Sequence, residues 1–137
     1  MERTNIRNVT LDDIGEKIDF ISIDVSFISL RLVLPVAKSL LKDKGEIIAL
    51  IKPQFEAGRE KVGKKGIVRD KNTHIEVIES IVEFSKELGL GINGLSYSPI
   101  TGATGNIEFL IYLKNNCDKI IEDVEVLDIV DEAHNSL

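Results

Sequence analysis

Hydrophobic positions along the chain repeat with two different periods, and the change of period marks out the elements. Ile18 to Val25, IDFISIDV, is mostly apolar and β-branched, the pattern of a buried strand. From Ile28 to Lys42 the apolar residues Leu30, Val33, Leu34, Ala37, Leu40 and Leu41 recur at helical spacing, so a helix opening near Ser29 is predicted. Pro35 falls inside it, lacks an N–H, and predicts irregular first turns. Asp43 to Gly45 reads as a turn, and Glu46 to Lys52 as a second buried strand. Pro53 to Asn72 is polar, long and broken by Gly58, Gly63 and Gly66, which predicts a loop. Thr73-x-x-Glu76 fits a capping box and predicts a helix opening at Thr73. Its apolar stripe is Ile75, Ile78, Ile81, Val82 and Leu88, and Gly89 ends it. Ile92 to Ser98 is a third strand, SPITGATG a turn-rich loop, and Asn106 to Leu113 a fourth strand. Beyond Asp118, the spacing of Ile120, Val124, Leu127 and Val130 predicts an amphipathic helix.

Strands alternating with helices, and nearly all apolar, imply an α/β fold with a parallel sheet covered on both faces. The third and fourth strands are joined by roughly eight residues, too few for a parallel crossover, so the fourth strand should run antiparallel. In such sheets ligands bind beyond the carboxyl ends of the parallel strands. Asp24 then lies at the end of the first strand, Lys52 at the end of the second, and Glu108 at the start of the reversed fourth. All three are expected on one rim. The stretch Gly89-Leu90-Gly91-Ile92-Asn93-Gly94 fits G-x-G-x-x-G, but it follows a helix and precedes a strand. It reads as a helix stop rather than a dinucleotide fingerprint.

Composition changes this picture little, and charge distribution changes it more. The chain has 137 residues, 43% hydrophobic and 29% charged, enough for one core. Its longest apolar runs, IIALI and FLIYL, fall far short of the ~20 residues that span a bilayer. One cysteine, Cys117, allows no internal disulfide and fits a reducing cytoplasm. With His74 and His134 far apart in sequence, no metal site is expected, and His74 at a helix start reads as structural. The net charge of −6 resides entirely in the segment from Asp118 onward. The loop from Gly58 to Lys71 is locally basic, through Arg59, Lys61, Lys64, Lys65, Arg69 and Lys71, and could attract phosphates.

A lysine between two carboxylates on a ligand-binding rim suits activation of a hydroxyl. An ordinary lysine ammonium is a poor base at neutral pH. Lys52 would therefore orient and polarise the hydroxyl, or act as a base only in a closed, dry complex. A simple rim ion pair would need no such role.

Four stretches carry a resemblance: DVSFISL (Asp24 to Leu30), IKPQFEAGRE (Ile51 to Glu60), VGKKGIVRD (Val62 to Asp70) and SPITGATGNIEFL (Ser98 to Leu110). In that order they resemble the TlyA-type haemolysin family, which is similar to FtsJ-like ribosomal RNA 2′-O-ribose methyltransferases. The resemblance implies the C-terminal half of a Rossmann-like sheet that uses S-adenosyl-L-methionine, with the last strand antiparallel. It places the aspartate, second lysine and glutamate of a Lys-Asp-Lys-Glu tetrad at Asp24, Lys52 and Glu108. Asn5 and Asp24 become cofactor contacts. Arg59, Lys61, Lys64, Lys65 and Arg69 become contacts to ribosomal RNA. The family's first lysine, its glycine-rich cofactor loop, its first three strands and its S4-type RNA-binding domain have no counterpart between Met1 and Leu137. The expectation is thus one partial domain over 1–137 that is inactive and binds cofactor weakly or not at all by itself. Two other readings stand beside it. One is a non-catalytic module that self-associates through the exposed edge of its first strand. The other is the membrane-active haemolysin of the family name, which the absence of a spanning run and the acidic last helix oppose.

Overall fold

The computed structural model describes residues 18–25, 28–57, 67, 68, 70–99, 101, 105–117, 119, 120 and 123–136. In chain order these form β1 (Ile18–Ile23), α1 (Leu30–Leu40), β2 (Leu41–Ile51), α2 (Pro53–Glu56) and α3 (Lys71–Glu87), then β3 (Leu90–Tyr97), β4 (Phe109–Asn115) and α4 (Asp123–Ser136). The four strands make one sheet in the order β1-β2-β4-β3. β1 and β2 are parallel, and β4 lies antiparallel to both of its neighbours. β3 therefore points the same way as β1 and β2, as the short loop before β4 requires. Among the described residues β1 pairs only with β2, so its outer side is a sheet edge.

Burial alternates along the strands. In β2 the side chains of Leu41, Ile47, Ala49 and Ile51 are buried, as are Phe109, Ile111 and Leu113 in β4. The residues between them, such as Ile48, Leu50, Leu110 and Tyr112, are only half-buried. The core thus lies on one side of the sheet, where α1 contacts β2 and α3, and where α3 and α4 contact each other and β3. The apolar strands predicted cover on both faces; among the described residues the second face is covered only in part. A side chain as large as Leu or Ile contributes roughly 1.5–3 kcal/mol when fully buried, so the helix-covered face dominates stability.

Local signals explain most element ends. Ser29 caps α1, its hydroxyl accepting the Arg31 N–H at 3.0 Å. α1 runs unbroken through Pro35, which sits on the exposed side where water can satisfy the carbonyl left without a donor. Gly89 follows α3 with φ +83°, a left-handed conformation natural to glycine, which settles the G-x-G-x-x-G stretch as a helix stop.

Five expectations need correction. The turn at Asp43–Gly45 is instead a bulge inside β2. Pairing jumps from Ile18 with Leu41 to Phe20 with Glu46, and Lys44 takes φ 62° to absorb the extra residues. α3 opens at Lys71, before Thr73. The Thr73 hydroxyl donates to the Asp70 carboxylate at 2.9 Å, so the predicted capping box does not form. Residues Pro53–Glu56 are a helical turn rather than loop. Proline at a first helical position, followed by an acid, is the signal that marks it. β3 begins at Leu90, earlier than its weak pattern suggested. Finally, α4 buries Val126, Val130 and Ala133, leaving Leu127 and Ile120 exposed. Of the predicted stripe Val130 is buried as expected, Leu127 is exposed, and Ile120 lies before the helix.

Gly91 shows how tightly β3 approaches the chain after β4. A Cβ there would stand 2.6 Å from the Cys117 Cβ and 2.8 Å from its carbonyl oxygen. Gly91→Ala should destabilise the fold by about 1–3 kcal/mol in denaturant titration. Adding Cys117→Ala should not restore it, because the backbone oxygen still clashes.

Candidate active site

The carboxyl ends of β1 and β2 form one rim. Asp24 follows β1 and Lys52 follows β2, and the Lys52 Nζ lies 2.5 Å from the Asp24 Oδ1. The lysine side chain is 12% exposed and the aspartate 41%. The apolar residues of β2 thus anchor a strand whose last act is to deliver a nearly buried ammonium beside a carboxylate that still meets solvent. Ile51 pairs with Phe109, so Lys52 and Glu108 each lie one residue beyond that pair, at the same end of β2 and β4. The Ser98 N–H donates to the Glu108 carbonyl at 2.9 Å and fixes its backbone. The three residues expected on one rim are on one rim. Asp24 and Lys52 are joined directly, and Glu108 approaches from the opposite strand.

Sequence reasoning missed the groups that hold this rim together. Lys52 occupies the N-cap position of α2, and α2 turns Gln54 and Glu56 back toward the site. Gln54 Nε2 donates to Glu108 Oε2 at 3.4 Å. Glu56 accepts from the Ser29 hydroxyl at 2.7 Å and from the Leu30 N–H at 2.8 Å. A carboxylate therefore sits on the N-terminus of α1, where free N–H groups and the helix dipole favour negative charge. This contact binds DVSFISL to IKPQFE, and so fixes the chain leaving Asp24 against the chain leaving Lys52. Burial pushes the Glu56 pKa up, in spite of the bonds from Ser29 and Leu30 and the charge of Arg31. Nothing in the periodicity of the chain announces a contact between residues so far apart in sequence.

A second missed group lies beside Glu108. Asn106 is fully buried and accepts the Val68 N–H. His74 is also fully buried, and lies 2.8 Å from His134 between ring nitrogens. The two histidines are distant in sequence and adjacent in space. Among the described residues no group of three or more His, Cys, Asp or Glu could hold a metal ion. Asn5, Arg59, Lys61, Lys64, Lys65 and Arg69 lie outside the described residues.

The model of the FtsJ-like methyltransferase family matches residues 1–115. The chain belongs to the FtsJ-like methyltransferase family. It is 49% identical over 142 residues to YqxC of Bacillus subtilis, a candidate rRNA methyltransferase, covering 100% of this chain and 50% of that protein. It is 35% identical over 133 residues to the 16S/23S rRNA (cytidine-2′-O)-methyltransferase TlyA of Mycobacterium tuberculosis, covering 97% of this chain and 50% of the relative. The chain thus spans about half the length of the curated relatives it matches. Among solved structures, a candidate hemolysin from Streptococcus thermophilus superposes with a TM-score of 0.89 at 41% identity, over 97% of this chain and 49% of the other. A candidate S-adenosylmethionine-dependent methyltransferase from Listeria monocytogenes shares the fold alone, with a TM-score of 0.52 at 12% identity over 82% of this chain and 67% of the other. The sheet is accordingly α/β and Rossmann-like, with its last strand antiparallel. No helix among the described residues is long and apolar enough to cross a membrane.

Proposed function

We propose that this chain supplies the acceptor side of a site that methylates a ribose 2′-hydroxyl of ribosomal RNA in the cytoplasm. The observation that carries this reading is the Asp24–Lys52 pair on the rim, with Glu108 at the same end of the neighbouring strand, one residue beyond the Ile51–Phe109 pair. The Lys52 ammonium donates to the 2′-oxygen and fixes its direction. Asp24 holds the ammonium in place and offsets its charge. Glu108 accepts the hydroxyl hydrogen, so that the oxygen presents a lone pair along one line. S-adenosyl-L-methionine, when bound, supplies the methyl group. Asp24 suits that role: its carboxylate is 41% exposed at a ligand-binding strand end and can face a cationic group. Asn5 is the other residue proposed for the cofactor.

Phosphates of the RNA are the proposed partners of Arg59, Lys61, Lys64, Lys65 and Arg69, which position the backbone without reading its sequence. Lys64→Ala with Lys65→Ala should weaken RNA binding and flatten its dependence on salt. The log–log slope should fall by roughly 1.5–2 for the pair of charges, read from titrations at several salt concentrations.

The deciding experiment mixes labelled S-adenosylmethionine, ribosomal RNA and the protein expressed from its complete gene. Mass spectrometry of the digested RNA should show a 2′-O-methylated nucleoside. Methyl groups found only on bases would overturn the reading.

A further inference from the structure

Val68 is the node of a buried network on the Glu108 side of the rim. Its N–H donates to Asn106 Oδ1 at 2.8 Å, and its carbonyl oxygen stands 3.0 Å from His74 Nε2. A carbonyl only accepts, so Nε2 of His74 must carry a proton. In the neutral ring Nδ1 is then bare, and accepts from the Nε2–H of His134 at 2.8 Å. The His74 ring also meets Phe109 edge-on, with ring centroids 5.5 Å apart. Asn106 and Phe109 bracket Glu108 in sequence. Asn106 thus grips Val68 directly from one side of Glu108, and Phe109, on the other side, packs on the His74 ring that grips it.

We infer that the His74–His134 pair is a proton-operated positioning element for Glu108, holding Val68 against Asn106 while at most one extra proton is bound and releasing it when both rings are charged. The inference rests on the reading of Glu108 given above. The first proton can settle on Nδ1 of His134, and the hydrogen bond between the rings survives. A second must go to Nδ1 of His74, where it confronts the His134 N–H. Two donors and two cations then meet at hydrogen-bond distance.

The charges facing the pair come from α3 and α4. Asp70, just before α3, favours the charged rings. Lys71 opposes charge on His134 and is itself paired with Asp131 of α4. From β4 the neighbour is Phe109, which is uncharged. Burial is the largest influence and lowers the pKa of both rings below the usual histidine value of 6.5. A depressed histidine contributes stability that is present above its unfolded value. That contribution is lost as pH falls below about 6.5 and through the lower folded values.

Nuclear magnetic resonance on this chain tests the inference. Protection of the Val68 amide from exchange should be constant above pH 7. Between about pH 6.5 and the lower folded values it should fall by up to about tenfold per pH unit for each histidine that must charge, and level off below them. The Glu108 carboxyl carbon resonance should move over the same range, while the amides of β2 stay protected. In His134→Gln, a glutamine amide can still donate to His74 but cannot titrate, and no second charge opposes a proton on His74, so only one histidine remains to charge and the fall should flatten to at most about tenfold per pH unit. Three results would overturn the inference: Val68 protection independent of pH, a Glu108 resonance silent through the histidine titration, or a His134→Gln profile matching the unmodified chain. Should that variant not fold, imidazole nitrogen shifts of the unmodified chain decide: at pH 8 His74 must be protonated at Nε2 and bare at Nδ1. None of these readouts uses methyl transfer, so their failure leaves the methyltransferase reading intact, and failure of that reading leaves them unchanged.

Discussion

Lys52→Ala, made in the protein expressed from its complete gene, is expected to lower the turnover number for methyl transfer by at least about 100-fold while the protein stays folded. The reasoning separates the two effects by burial. Lys52 is nearly buried, but Asp24, its partner, is 41% exposed. When the ammonium is removed, water can reach the aspartate and solvate it. A pair with one partner that exposed contributes only about 1 kcal/mol or less to folding. The catalytic role has no such replacement. A water in place of the ammonium would not be held in a fixed direction, and a lost preorganised donor typically costs about 100- to 1000-fold in turnover. The signature is therefore a large loss in turnover with a melting temperature shifted by only a few degrees. Lys52→Arg should not rescue, because the planar guanidinium cannot occupy the point position of an ammonium. Full activity in Lys52→Ala would remove Lys52 from the site.

Why this rim was legible in the sequence is a matter of period. Five apolar residues before Lys52, three of them isoleucine and the run bounded by Gly45 and Pro53, read as a short buried strand with a polar end. The short connection before Asn106 forces the fourth strand to reverse. Those two facts bring Asp24, Lys52 and Glu108 to one edge of the sheet. The strand pairing and register agree: Ile23 lies beside Ala49, and Ile51 beside Phe109. Signals that depend on one residue's choice of partner were read less well. Thr73 had a glutamate at the right spacing for a capping box, yet its hydroxyl bonds Asp70. The stripe of α4 was counted from Ile120, which lies before the helix. His74 and His134 meet because α3 and α4 pack together, and no local pattern encodes that. Period is a property of a segment, whereas a hydrogen-bond partner is a property of the whole fold.

Glu56 is the sharpest case, and its removal should have the largest effect on stability of any change outside the core. Glu56→Ala takes the acceptor from both the Ser29 hydroxyl and the Leu30 N–H. Leu30 is buried, so its N–H cannot readily turn to water. Hydrogen bonds to a charged group contribute about 1.5–3 kcal/mol each, but the half-buried carboxylate also bears a desolvation cost. The net expectation is a loss of about 2–3 kcal/mol, measured as a shift in denaturant midpoint with unchanged slope. Activity should fall as well, because the contact ties the chain after Asp24 to the turn that begins at Lys52. Glu56→Gln should lose less on both counts, since its amide oxygen can still accept one of the two donors without burying a charge. The comparison also has a direction in pH. Burial raises the Glu56 pKa, so its contribution is fully present below the ordinary glutamate value and diminishes as pH rises through the raised folded value. The stability gap between the unmodified chain and Glu56→Gln should therefore be widest in acid and narrow toward neutral pH. A gap that instead widened as pH rose would mean that the ionised carboxylate is held more favourably than its burial implies. The contact would then be a strong ion–helix interaction rather than a hydrogen-bonded clamp between two motifs.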